Sequence, residues 1–310
     1  MPYIPCVQTR RLGSQGPEMS VIGYGAWEAG GADWGPNESE ERVIEAMRAA
    51  LEAGIDWIDT AEVYGDGVSE TLVGRAVTGR RDGALIASKV APAPEGSGFR
   101  PEQVHAACDA SLRRLATDRI DLYQLHWPDE TGIPLEDTWG AMGELVQAGK
   151  VRFVGVSNFD QPQIERCLAI RHVDSLQQEF SMLAREEREL IRWCGGAGVG
   201  VVSYSPLGAG LLTGAIAPGT GFDDWRGEAT EGFLTDVDGS LAVVERLRPV
   251  ADRLGITPAQ LALAWNIAQR GVTAAIAGSR DPRHVRANAA AGDITLDRAT
   301  LDELEELLAG

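Results

Sequence analysis

Eight apolar runs of strand length, each followed by a segment of helical period, constrain this chain more than any other feature of its sequence. They lie at 21–25, 55–59, 84–89, 120–126, 151–157, 173–179, 199–205 and 272–277. Strand and helix in alternation predict a parallel sheet, because a parallel pair needs a crossover long enough to hold a helix. Eight such units point to an α/β fold, a (β/α)8 TIM barrel, ahead of a doubly wound nucleotide-binding sheet. The glycine-rich stretch from Gly195 to Gly200 would suit a dinucleotide fingerprint only if it followed a strand and opened a helix. It precedes a strand, and reads as a turn.

The helix signals agree. Asn37 and Glu40 form a capping box, Val43, Met47, Ala50 and Leu51 make an apolar stripe, and Gly54 stands where a C-cap belongs. Val104, Cys108, Ser111, Leu112 and Leu115 repeat the stripe after Pro101, and Leu135, Trp139, Met142, Leu145 and Val146 repeat it before Gly149. Two segments stand outside the alternation. Residues 9–20, with Gly13, Gly16 and Pro17, predict a short N-terminal hairpin. Residues 207–240, after the seventh strand, are rich in Gly, Asp and Thr and lack periodicity; a loop that long predicts a lid over a site. A helix at 296–308 ends the chain, with no long tail beyond it to shape a cleft.

A chain of 310 residues with 44% hydrophobic content can fill one barrel core, so residues 1–310 are expected to form one domain. A net charge of -18 opposes a sequence-independent grip on nucleic acid or an anionic membrane, both of which need clustered cations. Cys6, Cys108, Cys167 and Cys194 lack paired or metal-like spacing, so reduced thiols and no metal site are expected. The start has no basic segment followed by an apolar one, and no apolar run approaches membrane-spanning length. A cytoplasmic protein with a small-molecule substrate is the expectation, and its oligomeric state is left open.

In a (β/α)8 barrel the active site forms at the C-terminal ends of the strands. The polar residues found there are Asp59, Lys89, His126, Ser157 with Asn158, Gln177, Tyr204, and Ser279 with Arg280. Alternation places Trp57 with Asp59, Leu85 and Ala87 with Lys89, and Leu122 and Gln124 with His126, each set on one face. Tyr64 follows five residues after Asp59 and can fold back over the same opening. A phenol ionises near pH 10 in water, and lowering that by about two units takes about 2.7 kcal/mol, which one partly desolvated ammonium can supply. Lys89 is one of only two lysines, with Lys150. It is expected to lower the Tyr64 pKa, with Asp59 as its counter-ion. The same Asp59 opposes a Schiff-base lyase, which would need a neutral amine on Lys89. His105 and His172 are read as non-catalytic.

The motifs Gly-Ile-Asp-Trp-Ile-Asp-Thr-Ala-Glu-Val-Tyr-Gly (54–65), Asp-Leu-Tyr-Gln-Leu-His-Trp-Pro (121–128), Gly-Val-Ser-Asn-Phe (155–159) and Tyr-Ser-Pro-Leu-Gly (204–208) resemble those of the aldo-keto reductase family, in order, from about Arg10 to Ala291. The resemblance implies NADPH-dependent reduction of an aldehyde or ketone, with Tyr64 as proton donor, Lys89 and Asp59 tuning it, and His126 orienting the substrate. It also implies a cofactor path. Gly25, Ala26, Trp27 and Asp59 would lie along it; Ser157, Asn158 and Gln177 would hold the carboxamide; Tyr204 would stack on the nicotinamide. Ser205, Pro206, Leu207, Gly208 and Gly210 would also contact the cofactor. Gly278, Ser279, Arg280, His284 and Asn288 would take the adenosine end, with Arg280 on a 2'-phosphate. His284 stands where the family often has Gln or Arg, and Ala287 where Glu is common, which leaves NADH open as a second donor. Trp27, Tyr64, His126 and Trp127 would line the substrate end, with Tyr24 and Trp225 as further aromatic candidates. A redox-sensing subunit that binds the cofactor with little turnover is the alternative.

Overall fold

The computed structural model describes residues 7–31, 33–35, 39–229 and 231–309. A hairpin of β1 (Thr9–Arg11) and β2 (Glu18–Ser20) precedes eight parallel strands: β3 (Ile22–Gly25), β4 (Trp57–Asp59), β5 (Leu85–Val90), β6 (Ile120–Leu125), β7 (Val151–Ser157), β8 (Ser175–Glu179), β9 (Gly200–Tyr204) and β10 (Val272–Ile276). They pair in sequence order and β10 closes on β3, so the sheet has no edge. The expected (β/α)8 barrel is the observed fold.

The helices α1 (Glu40–Glu52), α2 (Val68–Val77), α3 (Pro101–Leu115), α4 (Leu135–Gln147), α5 (Gln161–Leu168) and α6 (Arg188–Ala197) follow the first six barrel strands. Next come α7 (Val237–Leu254) and α8 (Pro258–Ala268) before β10, then α9 (Pro282–Ala291) and α10 (Arg298–Ala309). Among the described residues, no helix is long and apolar enough to cross a membrane.

Strand alternation divides the core in two. Ile58, Ile86, Tyr123 and Leu125 pack outward against the helices. Trp57, Ala87 and Leu122 pack inside the barrel with Leu12 and Met19 of the hairpin segment. The hairpin therefore supplies side chains to the barrel interior, and Gly13 lets it seat: a Cβ there would lie 2.5 Å from the Gly198 carbonyl. Trp57 is held by an Nε1–H bond to the Ser20 carbonyl at 2.9 Å, and its ring lies over Gly23, where a Cβ would fall 2.1 Å from ring carbon. The Gly23→Ala variant is expected to lose stability at or above the upper end of the ~1–3 kcal/mol typical of overpacking, read as a lower denaturation midpoint.

Three local expectations change. The Asn37 cap lies outside the described residues; the observed N-cap of α1 is Ser39, whose side chain accepts from the Arg42 amide at 3.1 Å. The glycines at 195 and 196 belong to the last turn of α6 rather than to a turn, and Gly198 is its left-handed cap. Gly195 packs closely there, since a Cβ would approach the Gly271 Cα to 3.1 Å. Residues 207–240 are not a plain loop. They contain 3-10 turns at Gly208–Thr213, Trp225–Glu228 and Gly232–Asp236, and α7 already starts at Val237. Leu211, Leu234 and Leu241 form a small apolar cluster there with Phe222, Trp225 and Phe233, which orders the segment without a regular period.

Candidate active site

A cleft of about 920 Å³ opens at the C-terminal ends of the strands. Its floor is set by β4 and β5. Asp59 ends β4, and Lys89 lies fully buried one residue before the end of β5. The Lys89 Nζ donates to Asp59 Oδ1 at 2.5 Å and to the Thr60 carbonyl at 3.0 Å, and it reaches the Tyr64 hydroxyl at 3.3 Å. Asp59 Oδ2 accepts from Gln177 Nε2 at 2.9 Å, so the carboxylate bridges β5 and β8. The Tyr64 ring stands edge-on to His126, with centroids 5.6 Å apart.

These surroundings decide the protonation states. Burial alone would push the Lys89 ammonium down, but Asp59 and Tyr64 outweigh it and hold it above the usual lysine range. Burial pushes the Tyr64 phenol up; Lys89 lowers it, as expected, but does not outweigh burial, to which Asp59 adds, so the expected net lowering is corrected to a net rise. Tyr64 therefore keeps its proton and stands as an acid at neutral pH. Burial, with Lys89 nearby, holds the His126 imidazole well below its usual range, so it is neutral.

The β7, β8 and β9 ends form the adjoining wall. Asn158 Nδ2 donates to the His126 carbonyl and to Ser157 Oγ, each at 3.1 Å, and its Oδ1 accepts from the Tyr204 hydroxyl at 2.8 Å. Asn158 and Ser205 have φ of 61° and 52°. Left-handed backbone at two non-glycine strand ends is strain of the kind that collects at functional sites. On the opposite wall Gly25 meets Gly278: a Cβ on Gly278 would lie 2.5 Å from the Gly25 carbonyl, and one on Gly25 would lie 2.7 Å from Ile276. Glycine leaves backbone bare along the cleft there.

The cleft gathers nearly all the expected residues. Trp27, Asp59, Tyr64, His126 and Trp127 line one part, and Ser157, Asn158, Gln177, Tyr204, Ser205, Pro206, Leu207 and Gly210 the next. Gly25, Gly278, Ser279, His284 and Asn288 line the far end. Three expected cofactor contacts are not in the lining. Ala26 is fully buried, and its carbonyl accepts from Ser69 Oγ at 2.7 Å. Gly208 is buried behind the wall, against Leu183. The Arg280 guanidinium points instead to the β3–α1 loop, donating to the carbonyls of Trp34 at 2.8 Å and Gly35 at 3.2 Å. Tyr24 is also corrected. It is 1% exposed and its hydroxyl donates to the Ser279 carbonyl, so it supports the wall without lining it. Trp225 is not in the lining either; it packs behind it, 5.0 Å from Trp27 between centroids.

Several cleft residues escaped the sequence reading. Glu28, Asp33 and Trp34 lie in the β3–α1 loop and Arg226 in the long segment after β9, where no period marks an inward face. Trp27 Nε1 donates to Asp33 Oδ2 at 2.7 Å, and the rings of Trp27, Trp34 and Trp225 pack at 5.0–5.5 Å. Only the density of tryptophan in 27–34 hinted at them.

An amide-rich corner beside a protonated phenol, continued by a long glycine-floored cleft, fits a nicotinamide dinucleotide with its reactive end at Tyr64. The fold and site thus define a barrel enzyme of the oxidoreductase class. The aldo/keto reductase family model matches residues 21–309, and the chain belongs to that family. It is 36% identical to the aldo-keto reductase YhdN of Bacillus subtilis (strain 168) over 286 residues, 89% of this chain and 86% of that protein. The glycerol dehydrogenase AKR11B4 from Gluconobacter oxydans superposes with a TM-score of 0.87 at 29% identity, covering 97% of this chain and 95% of that one. An aldo/keto reductase from Klebsiella pneumoniae in complex with NADP and acetate gives a TM-score of 0.76 at 32% identity, covering 97% and 95%.

Proposed function

We propose that this chain, acting as one barrel domain, reduces an aldehyde or ketone to the alcohol with Tyr64 as the proton donor. The observation that carries the reading is the Tyr64 hydroxyl at the cleft floor, 3.3 Å from a buried Lys89 ammonium that is itself paired at 2.5 Å with Asp59. A nicotinamide dinucleotide, when bound in the cleft, would supply the hydride. As carbonyl oxygen gains negative charge, Tyr64 hands it a proton, and the Lys89 ammonium stabilises the phenolate left behind. Asp59 fixes the ammonium in place. Neutral His126 orients the carbonyl oxygen without competing as a cation. A Lys89 amine nucleophile is opposed by the raised ammonium pKa.

Ser157, Asn158 and Gln177 would hold the carboxamide; the Gln177 NH2 is partly committed to Asp59. Tyr204, fixed through Asn158, offers its ring to the nicotinamide. The NADP named for the Klebsiella pneumoniae neighbour supports NADPH as the donor here. Arg280 would meet a 2'-phosphate once it leaves the loop carbonyls. Charge-assisted hydrogen bonds are worth ~1.5–3 kcal/mol, so Arg280→Ala is expected to weaken NADPH binding by about 10- to 150-fold and NADH binding little. Titration of both nucleotides checks it, and an unchanged preference removes Arg280 from that role. The walls of Trp27, Trp34 and Trp127 favour a planar, apolar carbonyl. A screen of NADPH oxidation over aldehydes, ketones, quinones and keto-sugars tests the reaction class: oxidation with alcohol formation is expected, and its absence across all four classes rejects the reading.

A further inference from the structure

Arg280 links two places that the chemistry uses separately. It stands at the start of α9, beside the adenosine end of the cleft, yet its Nη1 and Nη2 serve the carbonyls of Gly35 and Trp34 in the β3–α1 loop. Its Nε lies 3.8 Å from Glu28. A forked phosphate contact needs two parallel N–H groups on one edge of the guanidinium. One edge is given to the loop carbonyls, and the other faces a carboxylate whose charge repels phosphate.

The loop it holds carries the substrate wall. The Trp34 ring packs edge-on to Trp27 at 5.4 Å and to Trp225 at 5.5 Å, with the Arg226 guanidinium 5.1 Å from its centroid. Trp34 pays for this position, since its indole N–H is buried without a hydrogen-bond partner among the described residues. Release of the loop would let that N–H reach water. Trp225 follows the same loop, because its backbone amide donates to the Asp33 carbonyl at 3.4 Å.

We propose that Arg280 is a positioning residue for the substrate wall: it holds the Trp34–Gly35 backbone until a phosphate of the dinucleotide draws the guanidinium away, so that cofactor binding resets Trp34 before the carbonyl enters. The proposal rests on the dinucleotide reading above. It makes NADPH binding and carbonyl binding coupled events, with the same guanidinium serving loop carbonyls in one state and phosphate in the other.

The test uses the full chain, without nicotinamide, titrated with 2',5'-ADP and separately with 5'-AMP. Calorimetry reads binding, and tryptophan emission reads the wall. Wild type is expected to show a saturable red shift on 2',5'-ADP binding that Trp34→Phe lacks. Free Arg280→Ala is expected to be red-shifted already and to shift no further. Arg280→Lys, which keeps the charge but cannot grip two carbonyls as a fork, is expected to resemble Arg280→Ala before ligand is added. A shift with 2',5'-ADP alone assigns the effect to the 2'-phosphate, and a shift with both nucleotides assigns it to the 5'-phosphate; either supports the coupling. Binding of 2',5'-ADP with unchanged Trp34 emission overturns the coupling and leaves the cofactor reading standing. Failure of 2',5'-ADP to bind overturns both. Free Arg280→Ala with wild-type emission removes Arg280 as the latch.

Discussion

Tyr64→Phe is expected to bind NADPH as the wild type does and to lose carbonyl reduction by about 100- to 10,000-fold in kcat, the range for removing a positioned acid. The change removes one oxygen. That oxygen makes one long contact, 3.3 Å from Lys89 Nζ, so the fold loses little. Among the groups around Lys89, only Tyr64 can give up a proton at neutral pH: His126 is held neutral, and Asp59 is tied to Lys89 and Gln177. Steady-state rates and nucleotide titration on the same preparation separate chemistry from binding. Near-normal turnover would remove Tyr64 as the donor.

Lys89→Met should be damaging in two measurable ways. The side chain is 0% exposed and its ammonium neutralises an Asp59 that is 3% exposed. Removing one partner of a buried pair leaves the other charge uncompensated, at a cost of ~3–5 kcal/mol, read from the denaturation midpoint. Turnover should fall as well, because the Lys89 ammonium is the cation that contacts the Tyr64 oxygen among the described residues and would stabilise it as the proposed donor. The pH dependence follows from the direction of the shift. The Lys89 pKa is raised above the ordinary 10.5, so its stabilising contribution is fully present below that value and is lost as pH rises through the higher folded one. The stability gap between wild type and Lys89→Met should therefore hold constant from neutral pH to about 10 and narrow above it. Equal stability of wild type and Lys89→Met at neutral pH would contradict the ion pair.

The sequence carried the barrel because each strand is an apolar run and each helix a period, and β7 has both ends where the pattern puts them, Val151–Ser157. Strand alternation then separated Trp57 and Asp59 from Ile58, and the first two do face the interior while Ile58 packs on the helices. The proposed catalytic cluster was legible in part for the same reason: Asp59, Lys89 and His126 stand at or beside strand ends, while Tyr64 lies in the loop that follows Asp59. What was not legible depends on distance and desolvation. The sequence names Lys89 and Tyr64 as neighbours but cannot weigh burial against the ammonium, so the direction of the Tyr64 shift came out opposite. Arg280 looked like a phosphate ligand by motif, and its partner Gly35 is 245 residues away in a loop with no period. Trp34, Arg226 and the apolar packing inside 207–236 were hidden likewise, since 3-10 turns leave no regular stripe.

The most direct measurement mixes the wild-type chain with NADPH and a planar, uncharged aldehyde, following nicotinamide oxidation and alcohol formation in the same sample, with Tyr64→Phe in parallel. Mole-for-mole oxidation and alcohol in the wild type, with both lost in a variant that still binds NADPH, is the expected result. Tight NADPH binding by the wild type with no alcohol formed from any aldehyde, ketone, quinone or keto-sugar would contradict it and leave a cofactor-binding protein without turnover.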